Sequence, residues 1–392
     1  MAQHFHTSSR IVIVVVVVSG LSIAVRLAQA DLPVTVLEAS QLGAAASTRN
    51  QGWLYSGAWF APEQPDLARM CHESMQQTLR FCPDCVEPEC GPMVYLAENS
   101  ETDSSRWTSA WSAAAIPYER LSPETLLERF PDLAISRAGE AFELPDRAIR
   151  TELLLRRLAD AAQRAGAEVR TGTPVARLIH RGDSIQGVET RQGEVLPARL
   201  VILAGNARGG FLHPGFGVEP IGTQREVVLV ALKTHLAAVR PEISRSPLCV
   251  IDADGFNHLP HPPVSVFGSN RWLSVRDAED ERPDTAEIER LWDHVGRLFP
   301  HVRREERTVH EWSGTTVQAM HVDQIEPGQA PLPTVIDHEQ ESVPLANLIS
   351  VFPGRASLWP HLAEEAQQVA LNKLQSFNTP VAVPPWGTPI AH

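Results

Sequence analysis

The sequence predicts an α/β chain, with a parallel sheet built from strand–helix–strand units and an inserted, mainly antiparallel α+β region. Three observations carry this. Residues 11–37 read as strand, helix and strand, a βαβ unit of about 30 residues. The first of these strands is β-branched throughout, as expected of a parallel strand buried on both faces. Residues 85–144 and 217–340 differ in texture, mixing strands such as "REVVLVAL" and "VSVFGS" with Pro-rich turns.

Bulk properties set the outer bounds. At 392 residues, 43% hydrophobic and 21% charged, the chain has room for one large or two interleaved domains. A net charge of −13 argues against a nucleic-acid binder, whose affinity rests on clustered Lys and Arg, and favours a small metabolite as partner. Five cysteines in so long a chain do not make a dense disulfide framework, so a reducing, cytoplasmic setting is expected. Cys82, Cys85 and Cys90 in "FCPDCVEPEC", with Cys71 and His72 upstream, invite a zinc or redox reading. No second CxxC or paired-His segment follows to complete four ligands, so ordinary loop thiols are expected.

The first strand spans Ile11–Val18, β-branched throughout. A helix follows over Gly20–Ala30, with Leu21, Ala24, Val25 and Ala28 making one apolar side. Val34–Leu37 is the second strand. The same stretch imitates an export signal, with Arg10 before the apolar run and Ala28 and Ala30 in an AxA pattern. The run is interrupted by Ser19, Gly20 and Ser22 and stops at Arg26, short of the about 20 apolar residues a spanning helix needs. Neither an integral membrane segment nor export is expected.

Glu38 closes the βαβ unit, 18 residues beyond Gly20, where a carboxylate accepts hydrogen bonds from an adenosine ribose. In that frame the phosphate fingerprint G-x-G-x-x-G falls on Val15, Val17 and Gly20. Only the third glycine is present. Valine resists the positive φ of a tight turn, and its methyls stand where phosphate oxygens would meet backbone N–H groups.

Beyond this point the chain resembles the FAD-dependent oxidoreductases of the D-amino-acid oxidase superfamily, which includes glycine and sarcosine oxidases, glycerol-3-phosphate dehydrogenase and L-2-hydroxyglutarate dehydrogenase. The segment "VTVLEASQLGAAASTRNQGWLYSGAWF" is similar to the family's second strand and its S-x-R-N-x-G loop. The resemblance implies that Ser47, Arg49, Asn50, Gln51 and Gly52 line the FAD pyrophosphate and the flavin edge. In "ELPDRAIRTELLLRRLADAAQRAGAEVRTGTPVARL", Thr151 can cap a helix ended by Gly166, and the resemblance puts the backbone around Val175 near the adenine. It places Ala204 and Gly205 at the sheet's carboxyl edge, where open α/β sheets bind ligands. It also sets Gly354, Arg355, Ser357 and Leu358, in "LISVFPGRASLWPHL", against the flavin pyrimidine, where a helix N-terminus stabilises negative charge.

The implied layout is a Rossmann-like FAD-binding domain over 10–84, 145–216 and 341–392, with a substrate domain over 85–144 and 217–340. The substrate domain should hold an amphipathic helix, Asp284–Phe299, with Ile288, Leu291, Trp292, Val295 and Leu298 on one face and Asp284 and Glu287 as a capping-box start. The Pro-rich tail "NTPVAVPPWGTPIAH" reads as a mobile end.

The implied reaction removes a hydride from a carbon bearing an amine or hydroxyl in a small amino or hydroxy acid, with oxygen, a quinone or another electron acceptor reoxidising the flavin. An acidic substrate calls for an arginine; Arg225, Arg271 and Arg355 are the candidates, and Arg271 also reads as a plain surface charge. Relatives that act on hydroxy acids often carry histidine where this chain has Tyr55, leaving Tyr55 to orient substrate or to serve as packing. His258, His261 and His361 lie in Pro-containing stretches and read as solvated loop residues. Two classes stay open at this level: a working FAD oxidoreductase, and a flavin-free or weakly binding relative of the same fold.

Overall fold

The computed structural model describes residues 10–14, 18–43, 48–98, 103–134, 139–204, 227–251, 254–321, 330–341, 344–374 and 386. Val15, Val17, Ser47, Gly205 and Arg225 lie outside the described residues. The chain divides into two compact units. Unit 1 comprises residues 1–47, 152–231 and 316–392, and unit 2 comprises 48–151 and 232–315. Residues 48–84, which the sequence groups with the FAD-binding part, cluster with unit 2.

Unit 1 is built on the predicted βαβ: β1 (Ile11–Val14), α1 (Val18–Gln29) and β2 (Val34–Leu37). β1 pairs in parallel with β2 on one side and with the strand Leu200–Leu203 on the other, placing Val14 beside both Leu37 and Leu203. The remaining strands make a six-stranded sheet, parallel except for one antiparallel edge strand, Thr334–Asp337. β1 is wholly buried, which is why its sequence runs unbroken in isoleucine and valine rather than alternating.

The boundaries shift at one point. Val18, which composition assigns to the first strand, belongs to α1. β-branched residues mark burial as much as extension, and the chain must leave the sheet here to cross over to β2. α1 is also buried all round, from Val18 to Ala28, rather than on one side. The helix Trp359–Leu374 packs against it, and the buried Arg26 pairs with Glu364 under the ring of Trp386, 4.3 Å from the guanidinium carbon. Trp386, in the tail expected to be mobile, is 6% exposed and packs edge-on against Trp359. A second, antiparallel sheet (175–181, 184–190, 195–197) shares a core with β1 and β2 through Val12, Val14, Leu37, Val175 and Val188.

Unit 2 carries most of a nine-stranded, largely antiparallel sheet; its strands Val227–Arg240 and Val264–Gly268 are those read from "REVVLVAL" and "VSVFGS". The amphipathic helix spans Thr285–Leu298, burying Ile288, Leu291, Val295 and Leu298, with Trp292 half-buried. Asp284 caps it by accepting from the amides of Ala286 and Glu287. The reciprocal half of the capping box is absent. Glu287 instead accepts from Arg271 Nε at 3.1 Å, an ion pair that outbids the neutral amide bond. Among the described residues no helix is long and apolar enough to cross a membrane.

Candidate functional site

In unit 1, the carboxyl ends of β1, β2 and Leu200–Leu203 lie side by side. The Ala204 amide donates to the Val14 carbonyl at 3.1 Å, aligning Ala204 with the end of β1. Glu38 follows β2 at once, 3% exposed, with Oε1 accepting from the amide and hydroxyl of Ser40 at 2.9 and 3.2 Å. These two bonds hold the carboxylate at the end of β2. Gly20 is buried within the first turn of α1, and Val175 packs beside Val14 and Leu37.

The strand Leu348–Phe352 leads into the second cluster of unit 1. Gly354 has φ +62°, and a Cβ there would lie 2.5 Å from the Pro331 carbonyl oxygen, so the position admits only glycine without rearrangement. Its amide donates to Gln318 Oε1 at 3.0 Å. Arg355, Ser357 and Leu358 are all buried, Ser357 and Leu358 in the 3-10 turn (Ala356–Leu358) that opens the helix from Trp359. Ser357 Oγ is buried without a hydrogen-bond partner, an arrangement that costs free energy in a bare protein and marks a place for a ligand atom.

In unit 2, the Asn50–Gly52 turn is fastened from several directions. Asn50 Oδ1 accepts from the Gly52 amide at 2.8 Å and from the Thr151 hydroxyl at 3.3 Å. Thr151, expected to cap its helix, is instead the helix's first residue, and its hydroxyl bonds to Asn50. Gly52 has φ +71°, and its carbonyl accepts from the Ile149 amide at 2.8 Å. The Gln51 carbonyl meets His261 Nε2 at 2.9 Å. The Gln51 side chain lies over Gly268 beside Asn257, its Oε1 buried and unpartnered. Arg49 pairs with Glu281 at 2.5 Å, and its carbonyl accepts from Trp312 Nε1 at 3.0 Å. Arg49, Glu281 and Trp312 border a cavity of about 830 Å³, which Thr48, Asp280 and His310 also line.

Tyr55 is 8% exposed, stacked on Trp53 at 4.2 Å, with its hydroxyl donating to Asn270 Oδ1 at 3.3 Å. Beneath this stretch sits Asp146, fully buried, accepting from Trp53 Nε1, the Ser56 amide and hydroxyl, and the Tyr95 hydroxyl. Burial pushes its carboxyl up, against those hydrogen bonds. Sequence reasoning missed Asp146 because its partners come from distant segments. Arg271, 40% exposed on its ion pair with Glu287, is a surface charge.

The histidines correct the sequence reading. His258 and His261 belong to the strand Asn257–His261, not to solvated loops, and His361 lies in the helix Trp359–Leu374. His258 is fully buried between Ser246 O and Ser265 Oγ, and burial pushes it down to about 3. Pro260, Pro262 and Pro263 near them gave a loop-like texture to a strand that pairs on both sides. Cys82 and Cys85 are not separate loop thiols but are joined as a disulfide across a 3-10 turn, while Cys71, Cys90 and Cys249 are buried thiols.

These residues fit an adenine dinucleotide. A parallel βαβ ends on a buried carboxylate, a glycine-only turn precedes a helix start, and an orphaned hydroxyl lies at that start. Comparison with known proteins agrees. The family described as FAD dependent oxidoreductase matches residues 18–336, beginning at Val18, the last residue of the valine run. The chain is 27% identical over 310 residues to anaerobic glycerol-3-phosphate dehydrogenase subunit A1 of Haloferax volcanii, covering 76% of this chain and 52% of that one. It thus spans about half the length of that relative. In fold it is similar to glycine oxidase from Geobacillus kaustophilus (TM-score 0.70, 21% identity, 98% and 100% of the two chains). It is likewise similar to L-proline dehydrogenase from P. horikoshii (TM-score 0.70, 16% identity, 96% of each). With the match spanning most of its length, the chain belongs to the family of FAD-dependent oxidoreductases.

Proposed function

We propose that this chain oxidises the CH–NH or CH–OH group of a small amino or hydroxy acid. The observation that carries the reading is the parallel β1–α1–β2 unit closing on buried Glu38, within a chain whose family match covers residues 18–336. When bound, FAD supplies a hydride acceptor. Glu38 would accept from the ribose hydroxyls, and Val15, Val17 and Gly20 are the positions assigned to the phosphates. Ser47, Arg49, Asn50, Gln51 and Gly52 would hold the flavin edge, and Val175, Ala204 and Gly205 the adenine side. Gly354, Ser357 and Leu358 would offer a helix start to the pyrimidine ring. Arg225 and Arg355 are assigned to a substrate carboxylate, whose planar pair of oxygens matches a guanidinium fork, and Tyr55 orients the substrate. The domain reading, FAD-binding over 10–84, 145–216 and 341–392 and substrate-binding over 85–144 and 217–340, is part of this proposal.

A second reading has its own observation. Valines occupy the first two fingerprint positions, and the family match starts only at Val18. In that case the chain binds FAD weakly or not at all. The purified chain distinguishes the two. A yellow protein with a flavin spectrum that bleaches anaerobically on adding one member of an amino- and hydroxy-acid panel supports the enzyme. A colourless protein that takes up no added FAD supports the second reading.

A further inference from the structure

His261 meets an oxygen acceptor on each side of its ring. Nδ1 lies 2.8 Å from Glu87 Oε1, and Nε2 lies 2.9 Å from the Gln51 carbonyl oxygen. A neutral imidazole has one N–H and one lone pair, so either tautomer would set a lone pair against an oxygen at hydrogen-bond distance. A ring protonated at both nitrogens donates in both directions. The counter-charge is in place: Glu87 is 9% exposed and anchored through its amide to the Ala148 carbonyl at 2.9 Å, and shielding from solvent strengthens a charge-assisted bond.

The surroundings leave this pair its own charge balance. His258, on the same strand, is held neutral by burial, pushed down to about 3. Cys90, whose Sγ donates to Pro260 O, is pushed up to about 12, first by burial and then by Glu87, and stays a thiol. Glu89 and Glu242 are engaged by Arg245. Arg150 donates to the Asp84 carbonyl. The ring also abuts the turn directly, since a Cβ on Gly52 would come within 2.7 Å of His261 Cε1.

We propose that His261 is a positioning residue: its doubly protonated ring, held by Glu87, fixes the Gln51 carbonyl and with it the Asn50–Gly52 turn in the form that receives FAD. The FAD part rests on the reading of Asn50–Gly52 as cofactor contacts; the protonation does not.

Two measurements on the full chain test it. In the uniformly ¹⁵N-labelled protein at pH 7, with His261 assigned by its loss in His261→Gln, both ring nitrogens carry protons in the native chain, and one does in Glu87→Gln. A singly protonated ring in the native chain overturns the proposal. The dissociation constant for FAD at pH 7, followed by flavin fluorescence quenching, is about tenfold weaker in His261→Gln. An equal constant in the two proteins overturns the positioning role. A native chain that takes up no FAD sinks the cofactor reading instead, and the ring signals then decide the His261 clamp alone.

Discussion

The two segments proposed to meet the cofactor differ in what their sequences supply. Between β1 and α1 the phosphate fingerprint asks for glycine at positions 15 and 17, and this chain has Val15 and Val17. The Asn50–Gly52 turn of unit 2 is tied by side chains and neighbouring backbone: Asn50, Thr151, His261 and the Ile149 amide each hold one of its atoms. A turn that depends on the absence of Cβ atoms is changed by a single branched substitution. A turn held by a network keeps its shape so long as its one required glycine stays. The contrast explains how a family member can keep one part of its cofactor apparatus legible while the best-known part is overwritten.

The largest effect should come from attacking the networked turn at its glycine. Gly52→Ala sets a methyl 2.5 Å from the Ile149 carbonyl oxygen at a positive φ, and should destabilise the protein by about 3 kcal/mol, read as a lower urea midpoint. An unchanged midpoint would mean that the turn gives way easily, and the contrast would dissolve. Next in size is the reverse experiment on unit 1. Val15→Gly with Val17→Gly should tighten FAD at least about tenfold, by returning phosphate N–H contacts worth roughly 1.5–3 kcal/mol each before the flexibility of glycine is discounted. No gain in a fluorescence-quenching titration would show that the phosphates do not sit at that turn. The smallest effect concerns Ser357. Because its hydroxyl has no protein partner, Ser357→Ala should leave the melting temperature of the FAD-free chain nearly unchanged, within about 0.5 kcal/mol, while weakening FAD about fivefold, roughly 1 kcal/mol. A lower melting temperature with unaltered FAD binding would assign the hydroxyl to the fold.

Local signals were readable where one physical cause acts alone. Val34–Leu37 is bounded by Pro33 and Glu38, and its strand coincides with the prediction. The helix Thr285–Leu298 follows its apolar spacing and its Asp284 cap. Where causes compete, reading the sequence failed. Val18 is β-branched for burial yet helical, and prolines beside His258 and His261 masked a paired strand. Relations between distant segments left no local trace at all. Asp146 serves Trp53, Ser56 and Tyr95, and Glu87 serves His261. The family motif identified the Asn50–Gly52 turn, but not the groups that hold it.

Arg26 gives the unit an unusual order of assembly. Its charge sits in the first helix, yet the groups that neutralise and cover it, Glu364 and Trp386, are translated more than three hundred residues later. Until those segments leave the ribosome, the nascent βαβ carries a cation on a greasy helix that has nowhere to hide. A chain stopped before position 359 would therefore hold all six strands of the sheet and still lack the helix whose Glu364 answers that charge.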